Sequence, residues 1–114
     1  LTSSIEHSAI LEPMKLLEGR GFEVTRIDPE SDGVISVERF CAAIRKDTVL
    51  VALMAAHNET GALQPVADVA RTLRSGGYSG AIISDFTQAP WKSSFTAAEL
   101  FDSGVDAVCI AGHK

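Results

Sequence analysis

Three short apolar runs, each emptying into polar residues, limit what this chain can fold into more than any other feature. Residues 48–56 (TVLVALMAA) lead into His57-Asn58-Glu59-Thr60-Gly61. Residues 81–83 lead into Ser84-Asp85 and Phe86-Thr87-Gln88, and residues 107–111 (AVCIA) into Gly112-His113-Lys114. Runs that are apolar at nearly every position read as strands buried on both faces, the kind found inside parallel sheets. Helical patterns separate them. Ile10, Leu11, Met14 and Leu17 recur at helical spacing, with Ser3 or Ser4 near the start and Gly19 and Gly21 as the stop. Ser36 caps a short helix whose apolar stripe is Val37, Phe40, Cys41 and Ile44. Gln64-Pro65 opens a helix carrying Val66, Val69, Ala70 and Leu73, and residues 96–101 fit one more. Strands are also expected within residues 1–5 and 23–27. This alternation predicts an α/β fold, three-layer α/β/α, with a mostly parallel sheet and right-handed crossovers. Ligands of such sheets sit outside the carboxyl ends of the strands, so the three polar clusters are expected along one edge.

Composition removes several function classes. The 114 residues make one domain at most, and 46% hydrophobic with 22% charged content is that of a globular protein. A net charge of −5 with scattered Lys and Arg offers no basic patch for nucleic acid. No apolar run approaches the roughly 18 residues of a membrane span, and LTSSIEHS lacks the pattern of a signal peptide. Cys41 and Cys109 lie far apart in segments that read as buried, which predicts reduced thiols in an intracellular protein. There is no initiator methionine, and a strand read as buried ends three residues before the last. Residues 1–114 are therefore expected to be a segment of a larger domain.

Lys114 directly follows the last apolar run. Partial burial would disfavour its charged form and make it a nucleophile, whereas a solvated loop lysine would do nothing. A metal-dependent hydrolase is one alternative, since three histidines are present. However, His57-Asn58-Glu59 lacks the Pro-Cys-x-x-Cys half of zinc deaminases, and no His-Glu-x-x-His occurs. A non-catalytic module is another. Pyridoxal 5'-phosphate suits the residues better: it needs a lysine for covalent attachment and a carboxylate to keep the ring nitrogen protonated. Lys114 and Asp85 offer these. Asn58, Gln88 and His113 add polar contacts, and His7 can stack on the ring.

Taken in order, Thr2-Ser3-Ser4-Ile5-Glu6-His7, Asn58-Glu59-Thr60-Gly61 with Pro65, Asp85-Phe86-Thr87-Gln88 and Gly112-His113-Lys114 resemble the cysteine desulfurase and selenocysteine lyase family. These are class V aminotransferase-like enzymes of pyridoxal phosphate fold type I. The resemblance implies that the chain is a segment of the large, cofactor-binding domain. It implies Lys114 as the lysine that binds pyridoxal phosphate and His113 as a phosphate contact. It implies Asp85 as the partner of the pyridinium nitrogen, and Gln88 and Asn58 as neighbours of the phenolic oxygen. His7 is implied as the ring-stacking residue that moves protons. The activity implied is removal of sulfur from L-cysteine to give alanine and an enzyme persulfide, with selenocysteine as the near alternative. A sulfur-acceptor protein, a homodimer and a cytoplasmic or mitochondrial location follow from the same resemblance.

The sequence departs from the family pattern at His57, which replaces a first asparagine, and at Ala111, where many members carry a phosphate-binding serine. Phe86 and Pro90 also replace smaller residues. Neither Cys41 nor Cys109 matches the persulfide cysteine. That cysteine, the substrate arginine and the phosphate loop are expected outside these residues, so the segment alone is expected to be inactive.

Overall fold

The computed structural model describes residues 1–90, 93 and 95–112. Five strands form one parallel sheet: β1 (Thr2–Ser3), β2 (Arg26–Ile27), β3 (Leu50–Ala52), β4 (Ala81–Asp85) and β5 (Ala107–Cys109). Their spatial order is β2-β1-β3-β4-β5. Four helices connect them: α1 (Ser8–Gly19), α2 (Val37–Ala42), α3 (Val66–Ser75) and α4 (Ala97–Asp102). The chain moves from β1 to β2 in one direction and from β3 to β5 in the other. Right-handed crossovers then place α1 on one face and α2, α3 and α4 on the other. In agreement, α2 packs on α3 and α3 on α4.

The main core lies under these last three helices. Val51, Leu53 and Ala55 alternate along the β3 run and meet Phe40, Val69, Leu73 and Leu100, all buried. Local signals in the sequence explain the helix starts. The Ser36 hydroxyl accepts the Arg39 N–H, and Thr96 with Glu99 forms a reciprocal capping box. The cap of α1 is His7, however, rather than Ser3 or Ser4, because β1 and a turn occupy the serines.

The structure corrects three other expectations. The run 48–56 is a regular strand only over Leu50–Ala52, although residues 53–56 stay buried and the Leu53 and Ala55 N–H groups still reach the Ile83 and Asp85 carbonyls. In the 23–27 segment only Arg26–Ile27 pairs. The last run is not buried on both faces: Ala107 and Cys109 are exposed and Ile110 is 68% exposed. The cause is position, since β4 is the only strand beside β5 among the described residues. Cys109 is thus an exposed thiol. Cys41 sits half-buried on the core stripe, and burial pushes its thiol pKa up, away from nucleophilic character.

Candidate active site

The strand order reverses between β1 and β3, and at such a switch point the diverging connections open a crevice at the carboxyl edge. A cavity of about 230 Å³ occupies that edge. His7 after β1, Met54 and Asn58 after β3, Asp85 and Gln88 from the end of β4, and Ala111 after β5 all line it. Two other cavities, of about 270 and 540 Å³, open toward the amino ends of the strands. There Arg45 is already paired with Asp47 and Glu23.

Asp85 is fixed from three directions. Its carbonyl accepts the Ala55 N–H at 2.8 Å, the next residue's N–H reaches the Cys109 carbonyl at 2.8 Å, and its Oδ1 accepts the Thr87 N–H at 2.9 Å. The last bond is an Asx turn that ends the strand and orients the carboxylate. His7 is set by the helix that it caps: Nδ1 accepts the Ala9 N–H at 3.2 Å. An accepting Nδ1 leaves the proton of the neutral ring on Nε2.

Asn58 is exposed in a tight loop after β3. The loop is closed by His57, whose Nδ1 accepts the Thr60 N–H at 3.2 Å while its carbonyl accepts Gly61 N–H at 2.9 Å. Gly61 has φ +74°, a conformation that a glycine adopts without strain. The imidazole caps this turn as a short amide would, which accounts for histidine at position 57.

The structure therefore brings His7, Asn58, Asp85 and Gln88 around one cavity. Lys114 and His113 lie outside the described residues. Three residues that sequence reasoning passed over, Glu6, Met54 and Thr87, belong to the same edge. Glu6 is 5% exposed. Burial pushes its carboxyl pKa up to about 6, opposed by hydrogen bonds from Ser3 and Met54 and reinforced by the charge of Asp85. An acidic residue between Ile5 and His7, directly behind a strand, was the available signal. Among the described residues no group of three His, Cys, Asp or Glu is placed to hold a metal ion. No helix there is long and apolar enough to cross a membrane.

The sequence profile of the family described as aminotransferase class-V matches residues 1–114. The chain belongs to the class-V aminotransferase family. Among curated relatives of this class-V chain, cysteine desulfurase IscS of Anaeromyxobacter sp. (strain Fw109-5) is 39% identical over all 114 residues. The chain spans 27% of that relative's length. A solved NifS-like protein superposes on 98% of the chain with TM-score 0.89 and 37% identity, and the match covers 30% of that protein. SspA, solved in complex with cysteine, superposes on 98% with TM-score 0.86 and 30% identity, over 31% of its length. The class-V family is in general pyridoxal-phosphate-dependent.

Proposed function

We propose that the full-length protein containing this class-V segment is a pyridoxal-phosphate-dependent cysteine desulfurase, and that residues 1–114 form part of its cofactor-binding domain. One observation carries the reading: His7, Asn58, Asp85 and Gln88, drawn from three strand ends, line a single cavity of about 230 Å³. Similarity to cysteine desulfurase IscS and to SspA bound to cysteine points to the substrate.

The donor set fits a substituted pyridine ring. Asp85 offers a carboxylate to the ring nitrogen, its orientation held by Thr87. The His7 imidazole offers a flat face, and the amides of Asn58 and Gln88 suit the phenolic oxygen. Met54 and Ala56 give apolar surface, which limits water at the ring. When bound, the cofactor supplies an electron sink for the bond electrons at the substrate α-carbon. Lys114 would be the attachment residue and would receive the α-proton once released. Asp85 keeps the ring nitrogen charged by pairing with it. His7 can pass the proton on Nε2 to a group above the ring, because its Nδ1 is committed to the helix cap. Phosphate contacts would come from His113 and from residues outside the segment.

The test is the full-length protein with L-cysteine and L-selenocysteine in parallel, following alanine release and the visible absorbance of the cofactor. Asp85→Ala is expected to lower turnover by about a hundredfold or more, as for loss of a directly apposed charge. Lys114→Ala should abolish the absorbance of the attached cofactor. Normal turnover in Asp85→Ala would refute the role given to that residue.

A further inference from the structure

Glu6 is the one charged side chain buried among the described residues. Its position follows from how the sheet opens. In the ladder between β1 and β3, the Ala52 N–H bonds the Leu1 carbonyl at 3.0 Å. Two residues on, the Met54 N–H points to the same side, and the next strand carbonyl would be its partner. That carbonyl would be Ser3's, at the last residue of β1. The Met54 N–H instead bonds Glu6 Oε1 at 2.9 Å, and the same oxygen takes the Ser3 hydroxyl at 2.6 Å. A side chain thus completes the ladder at the switch point, beneath the cavity that His7 and Met54 line.

A carboxylate is more than this clamp needs. Gln64 shows what a neutral clamp looks like in the same fold. It is 4% exposed, its Oε1 accepts Ile35 N–H at 2.9 Å, and its Nε2 donates to the Gly33 carbonyl at 2.9 Å. Both of its ends are used. Glu6 leaves Oε2 buried without a hydrogen-bond partner, and no cation among the described residues pairs with it. Asp85 lies near enough to repel it. Such a group costs folding free energy that a fully paired amide like Gln64 does not, unless a positive charge arrives above it.

We propose that Glu6 is a positioning residue that joins the ends of β1 and β3 and holds a second negative charge near Asp85, so that the pocket floor selects a cationic ring. This rests on the pyridoxal phosphate reading given above. The titratable neighbours are Asp85 at the end of β4 and His7, the next residue. Burial raises the carboxyl to about 6, so Glu6 carries its charge at neutral pH and loses it below that value. Cation binding should then weaken as pH falls through that value.

The experiment uses the apo form of the full-length protein, titrated with pyridoxal 5'-phosphate and with its 1-deaza analogue, which has carbon in place of the ring nitrogen. Binding is read by fluorescence quenching, independently of turnover. Glu6→Gln keeps both accepted hydrogen bonds and removes the charge. At pH 7.5 it should raise the Kd for pyridoxal phosphate about fivefold, the size of one unit-charge interaction across partly wetted protein. The analogue should shift less than about twofold, since a neutral ring gains nothing from the charge. At pH 5 the two proteins should converge. Glu6→Asp, which keeps charge and shortens reach, should weaken both ligands yet retain the preference for the ring nitrogen. Equal shifts for both ligands in Glu6→Gln, or no shift, would overturn the proposal and leave the proposed function standing. A wild-type protein that fails to bind pyridoxal phosphate would overturn both.

Discussion

The two edges of the sheet handle charge in opposite ways. At the amino edge, Arg74 donates to the carbonyls of Gly104, Tyr78 and Gly80 at 3.0, 2.9 and 2.8 Å, and to Asp106 at 2.6 Å. Asp106 in turn accepts the Ile82 N–H at 2.7 Å. The arginine ties the end of α3 to the starts of β4 and β5, and its opposite charge is in place. At the carboxyl edge, Glu6 and Asp85 stand near each other, and among the described residues neither forms an ion pair. A balanced edge holds a fold together. An unbalanced edge stores electrostatic cost that an arriving positive charge relieves.

The contrast breaks first at Arg74. Arg74→Ala should destabilise the protein by about 3 kcal/mol, because it strands three carbonyls and a carboxylate. Cofactor affinity below the unfolding transition should be unchanged. Chemical denaturation followed by circular dichroism measures the first quantity, and a cofactor titration the second. A large loss of affinity with little loss of stability would show that the amino edge is not merely structural.

Glu6→Gln probes the other edge through pH. Burial pushes the Glu6 carboxyl up to about 6 in the folded chain, from an ordinary value of 4.5. The folded state therefore binds the proton more tightly, so this group's stabilisation is complete below about 4.5 and is lost as pH rises through 6. The shift corresponds to about 2 kcal/mol. Relative to wild type, apo Glu6→Gln should gain about that much between pH 4 and pH 7.5. A flat difference in denaturation midpoints over this range would show that Glu6 is not strained.

The smallest effect sharpens the comparison within the carboxyl edge itself. Thr96 caps α4 there in a fully satisfied box with Glu99. Thr96→Ala should cost about 1 kcal/mol in denaturation and leave the cofactor titration unmoved. Satisfied polar groups would then behave alike at both edges.

Much of this was legible in the residues. Ser36 and Thr96 announced their helices, and the turn residues after the apolar runs put Asn58, Asp85 and Gln88 at strand ends, where the structure gathers them with His7. Strand lengths were not legible. Residues 53–56 are as apolar as 50–52, and Leu53 and Ala55 still bond the β4 side, yet the regular strand stops at Ala52 beside a β1 only two residues long, a fact that lies elsewhere in the chain. The exposure of β5 was also hidden, since an apolar run does not say how many neighbours it has. Glu6 was overlooked for a related reason. Its partner, the Met54 N–H, is 48 residues away and belongs to the backbone, which has no signature in sequence.

The unequal heights of β1 and β3 give the sheet a stepped rim. The step is spanned by Glu6, three residues past Ser3, so one residue inserted between them would lift the acidic side chain off the Met54 N–H and leave that ledge open.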